Sequence, residues 1–139
     1  MADAGSGRGT RVQRPLSPHL QIYSPLINMV MSIVHRMTGV ALYFGTLLLA
    51  WWLIAAATSP QYFDYVSSWF ATWPGKIVML GYTWALLHHM LGGIRHFIWD
   101  LGKGYDLQTI DLLSWGSLVL SLALTAVIWV TVALSRGGA

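Results

Sequence analysis

Long apolar runs separated by short polar breaks set the pattern of this chain. From Leu26 the apolar residues are nearly continuous, broken early by Ser32, His35, Arg36 and Thr38, then free of charge from Met37 to Phe63. A hydrocarbon core of about 30 Å takes about 20 residues of helix, and Gly39 to Ala57 nearly supplies that alone. The pattern predicts a first helix over about 26–58, with its polar cluster at the entry level of a membrane. Ser59-Pro60 stops it. The stretch to Thr72 carries Tyr62, Tyr65 and Trp69, with Trp73 just beyond, aromatic residues suited to an interface; it predicts a short surface helix.

Pro74 fits the first turn of a second long helix, about 74–102, because its missing N–H is not needed there. Apolar sequence from Ile77 to Leu87 leads in it to a stretch crowded with histidine and glycine. Lys103 to Asp111 reads as a polar connection, and a third helix spans about 111–135 with no charge between Leu112 and Leu134. Its Ser114, Ser117, Ser121 and Thr125 read as packing residues. The fold class is therefore an all-α membrane protein with three transmembrane helices in residues 26–135. Three spans cannot easily enclose a site alone, so a partner helix bundle is expected. Residues 1–25, with three prolines between Pro15 and Pro25, form a non-helical lead-in whose first dozen residues are expected to be mobile.

Composition agrees with this class: 55% of residues are hydrophobic, 9% are charged, and the mean hydropathy is +0.57. The absence of cysteine excludes disulfides, thiolate-bound iron–sulfur clusters and covalently attached c-type haem. A net charge of +3 without a cluster of Lys and Arg gives no support for nucleic-acid binding. The basic residues speak instead to topology. Arg8, Arg11, Arg14, Arg36, Arg95 and Lys103 fall on one side, against Lys76 and Arg136 on the other, which places the N-terminus in the cytoplasm or, in a mitochondrion, the matrix. The N-terminal arginines lack the apolar run of a signal peptide, and Asp3 and the glycines suit a mitochondrial presequence poorly.

Candidate chemistry concentrates in HHMLGGIRHFIWD, His88 to Asp100. Ionisable residues within a span are costly and suggest function. Helical steps of three, four and seven put His89, Gly93, His96 and Asp100 on one face. A neutral imidazole ligates haem iron, and a glycine one turn away lets a flat macrocycle approach. Histidine and glycine also serve hydrogen bonding and close helix packing with no cofactor, and both readings stand at this point. Any haem would be b-type. On the first helix Ser32, His35, Arg36 and Gly39 form a polar stripe at the same depth, His89 to Leu101 covering roughly 18 Å. Arg36 and Arg95 either snorkel to the membrane surface or serve a ligand. Ser32 and Arg36 could bind a quinone carbonyl, and His35, Arg36 and Arg95 could neutralise haem propionates.

Three segments, RPLSPHLQIY at 14–23, SIVHRMTG at 32–39 and H-x-x-x-G-I-R-H-x-x-x-D from His89 to Asp100, occur in an order and spacing that resemble the membrane anchors of succinate:quinone oxidoreductase. The resemblance covers nearly everything from Arg14 to Asp100; the third helix agrees only in length. It implies a four-subunit respiratory complex of the tricarboxylic acid cycle, succinate dehydrogenase (complex II). A flavoprotein oxidises succinate, an iron–sulfur subunit relays electrons, and two anchors form a heterodimeric helix bundle binding haem b and ubiquinone in the bacterial or mitochondrial inner membrane. Within that resemblance His89 maps to the axial haem ligand, the second ligand coming from the sister anchor, and Ser32 and Arg36 map to the quinone site. His35 maps near a haem propionate, Arg95 and His96 beside the propionates, and Asp100 to a propionate or to docking of the soluble subunits. The doubled His88-His89 departs from the pattern. His88 lies about 100° round the helix, on the face of Gly92 and Arg95. An anchor of fumarate reductase and a haem-free structural anchor are the alternatives.

Overall fold

The structure, a computed structural model, describes residues 16–137; the lead-in's expected mobile dozen lies outside the described residues. A short 3-10 turn, Pro18–Leu20, precedes four helices: α1 Ile27–Thr58, α2 Pro60–Ala71, α3 Trp73–Asp100 and α4 Leu107–Gly137. α1, α3 and α4 are long and apolar enough to cross a membrane. α2 is the short aromatic helix between the first two spans.

Local chemistry sets the corners. Ser59 is extended and its hydroxyl accepts the Tyr62 N–H at 3.2 Å, so the residue that ends α1 also caps α2, with Pro60 in the first turn. Thr72 repeats the device for α3, accepting the Gly75 N–H at 3.2 Å. A side chain at Gly75 would run into the Trp69 carbonyl and the Phe70 backbone, so the tight α2–α3 corner requires glycine. α3 is stopped by Gly102, two residues past its last, whose φ of +70° is the left-handed conformation that favours glycine. Gly102 N–H donates to Trp99 O at 2.8 Å and Lys103 N–H to Ile98 O at 3.3 Å, the paired bonds of a Schellman stop.

α4 begins at Leu107, inside the stretch expected to be connection. Asp106 supplies the reason: its Oδ2 accepts the Thr109 N–H at 2.9 Å while its carbonyl accepts the Ile110 N–H at 3.0 Å. Hydrogen bonds from the Thr109 side chain and backbone hold the Asp106 carboxyl below the usual carboxylate range. A depressed acid stabilises the fold above its unfolded-state pKa and loses that contribution as pH falls through its folded value. Asp106→Ala at neutral pH, or the wild type below about pH 4, should therefore show lower amide protection factors, corrected for the intrinsic pH dependence of exchange, at Thr109 and Ile110. Exchange equal to the wild type at pH 7 would remove the capping role.

Glycines bring α1 and α3 together in antiparallel register. Tyr82 covers Gly45, His89 covers Gly39 and His35 covers Gly92, each ring occupying the space of a missing side chain. The α3–α4 seam is joined by polar pairs in a second antiparallel register: Thr83 with Trp129, His88 with Ser121 and Arg95 with Ser114. The interior is accordingly more polar than apolar. Thr38, His88, Arg95, Ser114, Ser117, Ser121 and Thr125 are buried, whereas the large aliphatic side chains mostly face outward, as lipid or another membrane subunit allows.

Candidate functional site

His89 sits on α3 where α1 comes closest. Its ring stacks on His35 with centroids 3.9 Å apart and planes inclined by 5°. Its Cε1 would lie only 3.1 Å from a Cβ at Gly39, so that glycine makes room for the imidazole. Nδ1 of His89 lies 3.1 Å from the His35 carbonyl oxygen and 3.2 Å from Thr38 Oγ1. The Thr38 hydroxyl donates its proton to the same carbonyl at 2.8 Å, so both atoms facing Nδ1 are acceptors. The network assigns the proton to Nδ1. Nε2 is left with its lone pair, without a hydrogen bond among the described residues, and it is not a sealed atom.

His88, one residue earlier, has the opposite environment. It is 1% exposed. Its Nδ1 is 3.2 Å from Ser121 Oγ, whose own proton goes to the Leu118 carbonyl at 2.8 Å, so His88 too donates from Nδ1. Its Nε2 is buried without a partner and its ring lies over Trp84 at 5.3 Å. Two adjacent histidines thus share a tautomer but only one offers its other nitrogen outward.

The remaining residues singled out from the sequence divide among three places. His35 and Gly39 face α3; Nδ1 of His35 is buried against Gly92 and without a partner. His96 is exposed, 5.3 Å from the His35 ring and edge-on to Trp99. Gly93 has no neighbour within 4 Å of a built Cβ, leaving a flat open face beside His89. Asp100 is exposed beyond it. Arg95 turns the other way: it is 4% exposed, donates to Ser114 at 3.2 Å and lies over the Trp99 ring at 5.2 Å, with Nε buried and unpartnered. Ser32 and Arg36 are exposed on α1, so the stripe read from the sequence splits between an α3-facing pair and an outward pair. The structure brings together His35, His89 and His96; it leaves Ser32, Arg36 and Asp100 outside that contact.

Thr38 was visible only as a polar break in an apolar run, yet it helps fix the His89 tautomer. Ser114 and Ser121 hold Arg95 and His88, a role beyond packing. The recurrence of small hydroxyl residues at 114, 117, 121 and 125, one helix face, was the available signal.

These residues fit a b-type haem as one half of a site. A ligating histidine ordinarily donates its second N–H to a carbonyl, which fixes the ring and leaves the other nitrogen for the metal. The chain provides one outward imidazole and an open glycine beside it, while the unpartnered nitrogens of His35 and Arg95 are buried inside the bundle. Among the described residues there is no group of three or more His, Cys, Asp or Glu able to hold a metal ion.

Comparison with known proteins places this geometry in context. The family described as Succinate dehydrogenase/Fumarate reductase transmembrane subunit matches residues 10–128. The succinate dehydrogenase cytochrome b556 subunit of Paracoccus denitrificans is 40% identical over 134 residues, covering 94% of this chain and 99% of that protein. The subunit of the same name from Rickettsia prowazekii is 39% identical over 118 residues, 85% of this chain and 92% of its own length. The mitochondrial cytochrome b560 subunit of Bos taurus is 35% identical over 118 residues, 83% of this chain and 69% of its own length.

Proposed function

The chain belongs to the family of transmembrane subunits of succinate dehydrogenase and fumarate reductase, and from that premise we propose that it binds haem b together with a sister anchor and contributes to ubiquinone reduction. It is a membrane anchor subunit of succinate dehydrogenase. Its partners in this reading are the second anchor, which supplies the other haem ligand, the iron–sulfur subunit, the flavoprotein and the lipid bilayer. The N-terminus faces the cytoplasm or matrix, on the side of the soluble subunits.

One observation carries the haem assignment. Both atoms facing Nδ1 of His89 are acceptors, so Nε2 is free to ligate. When bound, the haem supplies a one-electron centre whose potential its two imidazoles and its burial set. His35 and His96 would meet the propionates from the α1 side. Arg95 would add its charge from behind, through a side chain anchored by Ser114.

Ser32 and Arg36 are proposed to hold the quinone carbonyl. Arg36 contributes a fixed positive charge where negative charge develops on the quinone oxygen, and Ser32 a hydroxyl donor. Both are exposed, as donors to a ligand shared with a neighbouring subunit must be. Arg36→Ala should lower kcat/KM for ubiquinone by about tenfold to a hundredfold, the range of one charge-assisted hydrogen bond. Succinate oxidation by an artificial acceptor should be unchanged, since the flavoprotein performs it. Ubiquinone turnover equal to the wild type would remove Arg36 from the site.

Pigment and turnover of the purified complex test the whole reading. A reduced b-type band together with succinate-dependent ubiquinone reduction supports it; a colourless complex with full subunit content reduces the chain to a quinone-binding or structural anchor. The family also includes fumarate reductase anchors, but the similar relatives are named succinate dehydrogenase subunits, so the same preparation should oxidise succinate faster than it reduces fumarate, and the reverse would favour a fumarate reductase anchor.

A further inference from the structure

A second site lies at the other end of the bundle from the histidines. α1, α2, α3 and α4 enclose a cavity of about 820 Å³ walled by Leu48, Trp52, Phe70, Met79, Trp129 and Val132. That is within the 300–1,000 Å³ range of small-molecule pockets. Its walls are hydrocarbon and aromatic. Three hydroxyl-bearing residues line it, two of them already engaged: Ser67 Oγ accepts the Trp52 indole N–H at 3.2 Å, and Thr83 donates to the Met79 carbonyl at 2.8 Å while the Trp129 indole lies 3.4 Å from it; Tyr82 is the third. The charged group on the lining is Lys76, which is exposed and therefore at the rim, its ammonium 5.7 Å from the Trp73 ring centre.

Depth says what kind of molecule meets that lysine. Lys76 precedes His89 by thirteen residues on α3, about 20 Å along the axis. His89 lies within three residues of the middle of α3, Trp73–Asp100, and so near the bilayer midplane, which puts Lys76 at or beyond the half-thickness of about 15 Å and among the headgroups. Tyr65, Trp69 and Trp73 are exposed at the same end, as an aromatic interfacial belt requires. A molecule that fits has an apolar body below and a negative head at the rim. We propose that this cavity binds an anionic phospholipid, with an acyl chain between Trp52 and Trp129 and its phosphate on Lys76. A quinone fits less well, because its polar ring would lie inside the largely apolar cavity while the charged group on the lining, Lys76, is left at the rim. This site is independent of the haem and quinone assignments above.

The test is photolabelling of the assembled complex in bilayer nanodiscs by phosphatidylglycerol carrying a diazirine on one acyl chain. Phosphatidylcholine with the same chain is the control, and the subunit content of each sample checks assembly. Peptides containing Leu48, Met79 and Val132 should be labelled about fivefold more by phosphatidylglycerol, the effect of one lysine near an anionic head. Lys76→Gln should abolish that preference and Lys76→Arg keep it. Ala71 also lines the cavity, and Ala71→Trp, which fills it, should suppress labelling by either lipid, with ubiquinone reduction unaffected in all three variants. Equal labelling by the two lipids, a preference that survives Lys76→Gln, or labelling of these peptides by a photoreactive ubiquinone that phosphatidylglycerol does not displace would each overturn the proposal.

Discussion

His89→Ala should abolish the reduced-minus-oxidised b-type absorption of the complex at equal subunit content, while His88→Ala retains it. The two side chains are neighbours in sequence and share a tautomer, so the contrast isolates direction from chemistry. His89 holds its N–H against the His35 carbonyl and Thr38 and keeps Nε2 outward. His88 spends its N–H on Ser121 and keeps Nε2 inside the bundle, where a second subunit cannot reach. Losing His88 therefore costs packing, not ligation. Removing a buried ring and leaving Ser121 without its donor should destabilise the chain by about 2–4 kcal/mol, seen as a lower temperature for loss of the band. Complete loss of the band in His88→Ala, with His89→Ala coloured, would mean that α3 is rotated from the orientation described here.

Gly92→Val should also deplete the complex of haem, through the fold. A side chain at 92 meets the His35 ring directly. The His35 ring cannot retreat without leaving His89, on which it stacks, and a shift of α1 as a whole would carry away the His35 carbonyl that holds the His89 N–H. Overpacking of this kind costs about 1–3 kcal/mol, and it falls on the contact that fixes the proposed ligand. Lower haem per subunit and a lower thermal midpoint are expected together. Gly93→Leu separates the two effects. Nothing within the described chain approaches a Cβ there, so the isolated fold should not be destabilised, and loss of a mid-helix glycine should add about 0.5–1 kcal/mol. A fall in haem content without a fall in thermal midpoint would locate the macrocycle on that open face; a variant that keeps its full haem content would argue that the haem lies elsewhere along α3.

Much of the fold was legible in the chain because its determinants are local. Apolar length specified three helices able to span a membrane, and Ser59-Pro60, Pro74 and Gly102 marked their ends, since capping and left-handed backbone depend on the residue at the position itself. The Asp106 cap was missed because an aspartate in a polar stretch reads equally as connection or as helix start. At the site, the histidines and glycines were conspicuous as costly or small residues within apolar sequence. Their assignment to faces was partly legible from the helical repeat, which already set His88 apart from His89.

By itself, the sequence determined that this protein is a three-span helical anchor with histidines, glycines and arginines grouped toward one end, because hydropathy, proline and helical period act within a few residues. Only the tertiary structure decided which histidine offers a nitrogen, that Gly92 exists to receive His35, that Arg95 turns toward Ser114, and that an apolar cavity opens beside Lys76. Those outcomes depend on how α3 is rotated against α1 and α4. Contacts such as His89 with Thr38 and His88 with Ser121 bridge 51 and 33 residues of chain, and the packing of whole helices, which no local window contains, determines which of them form.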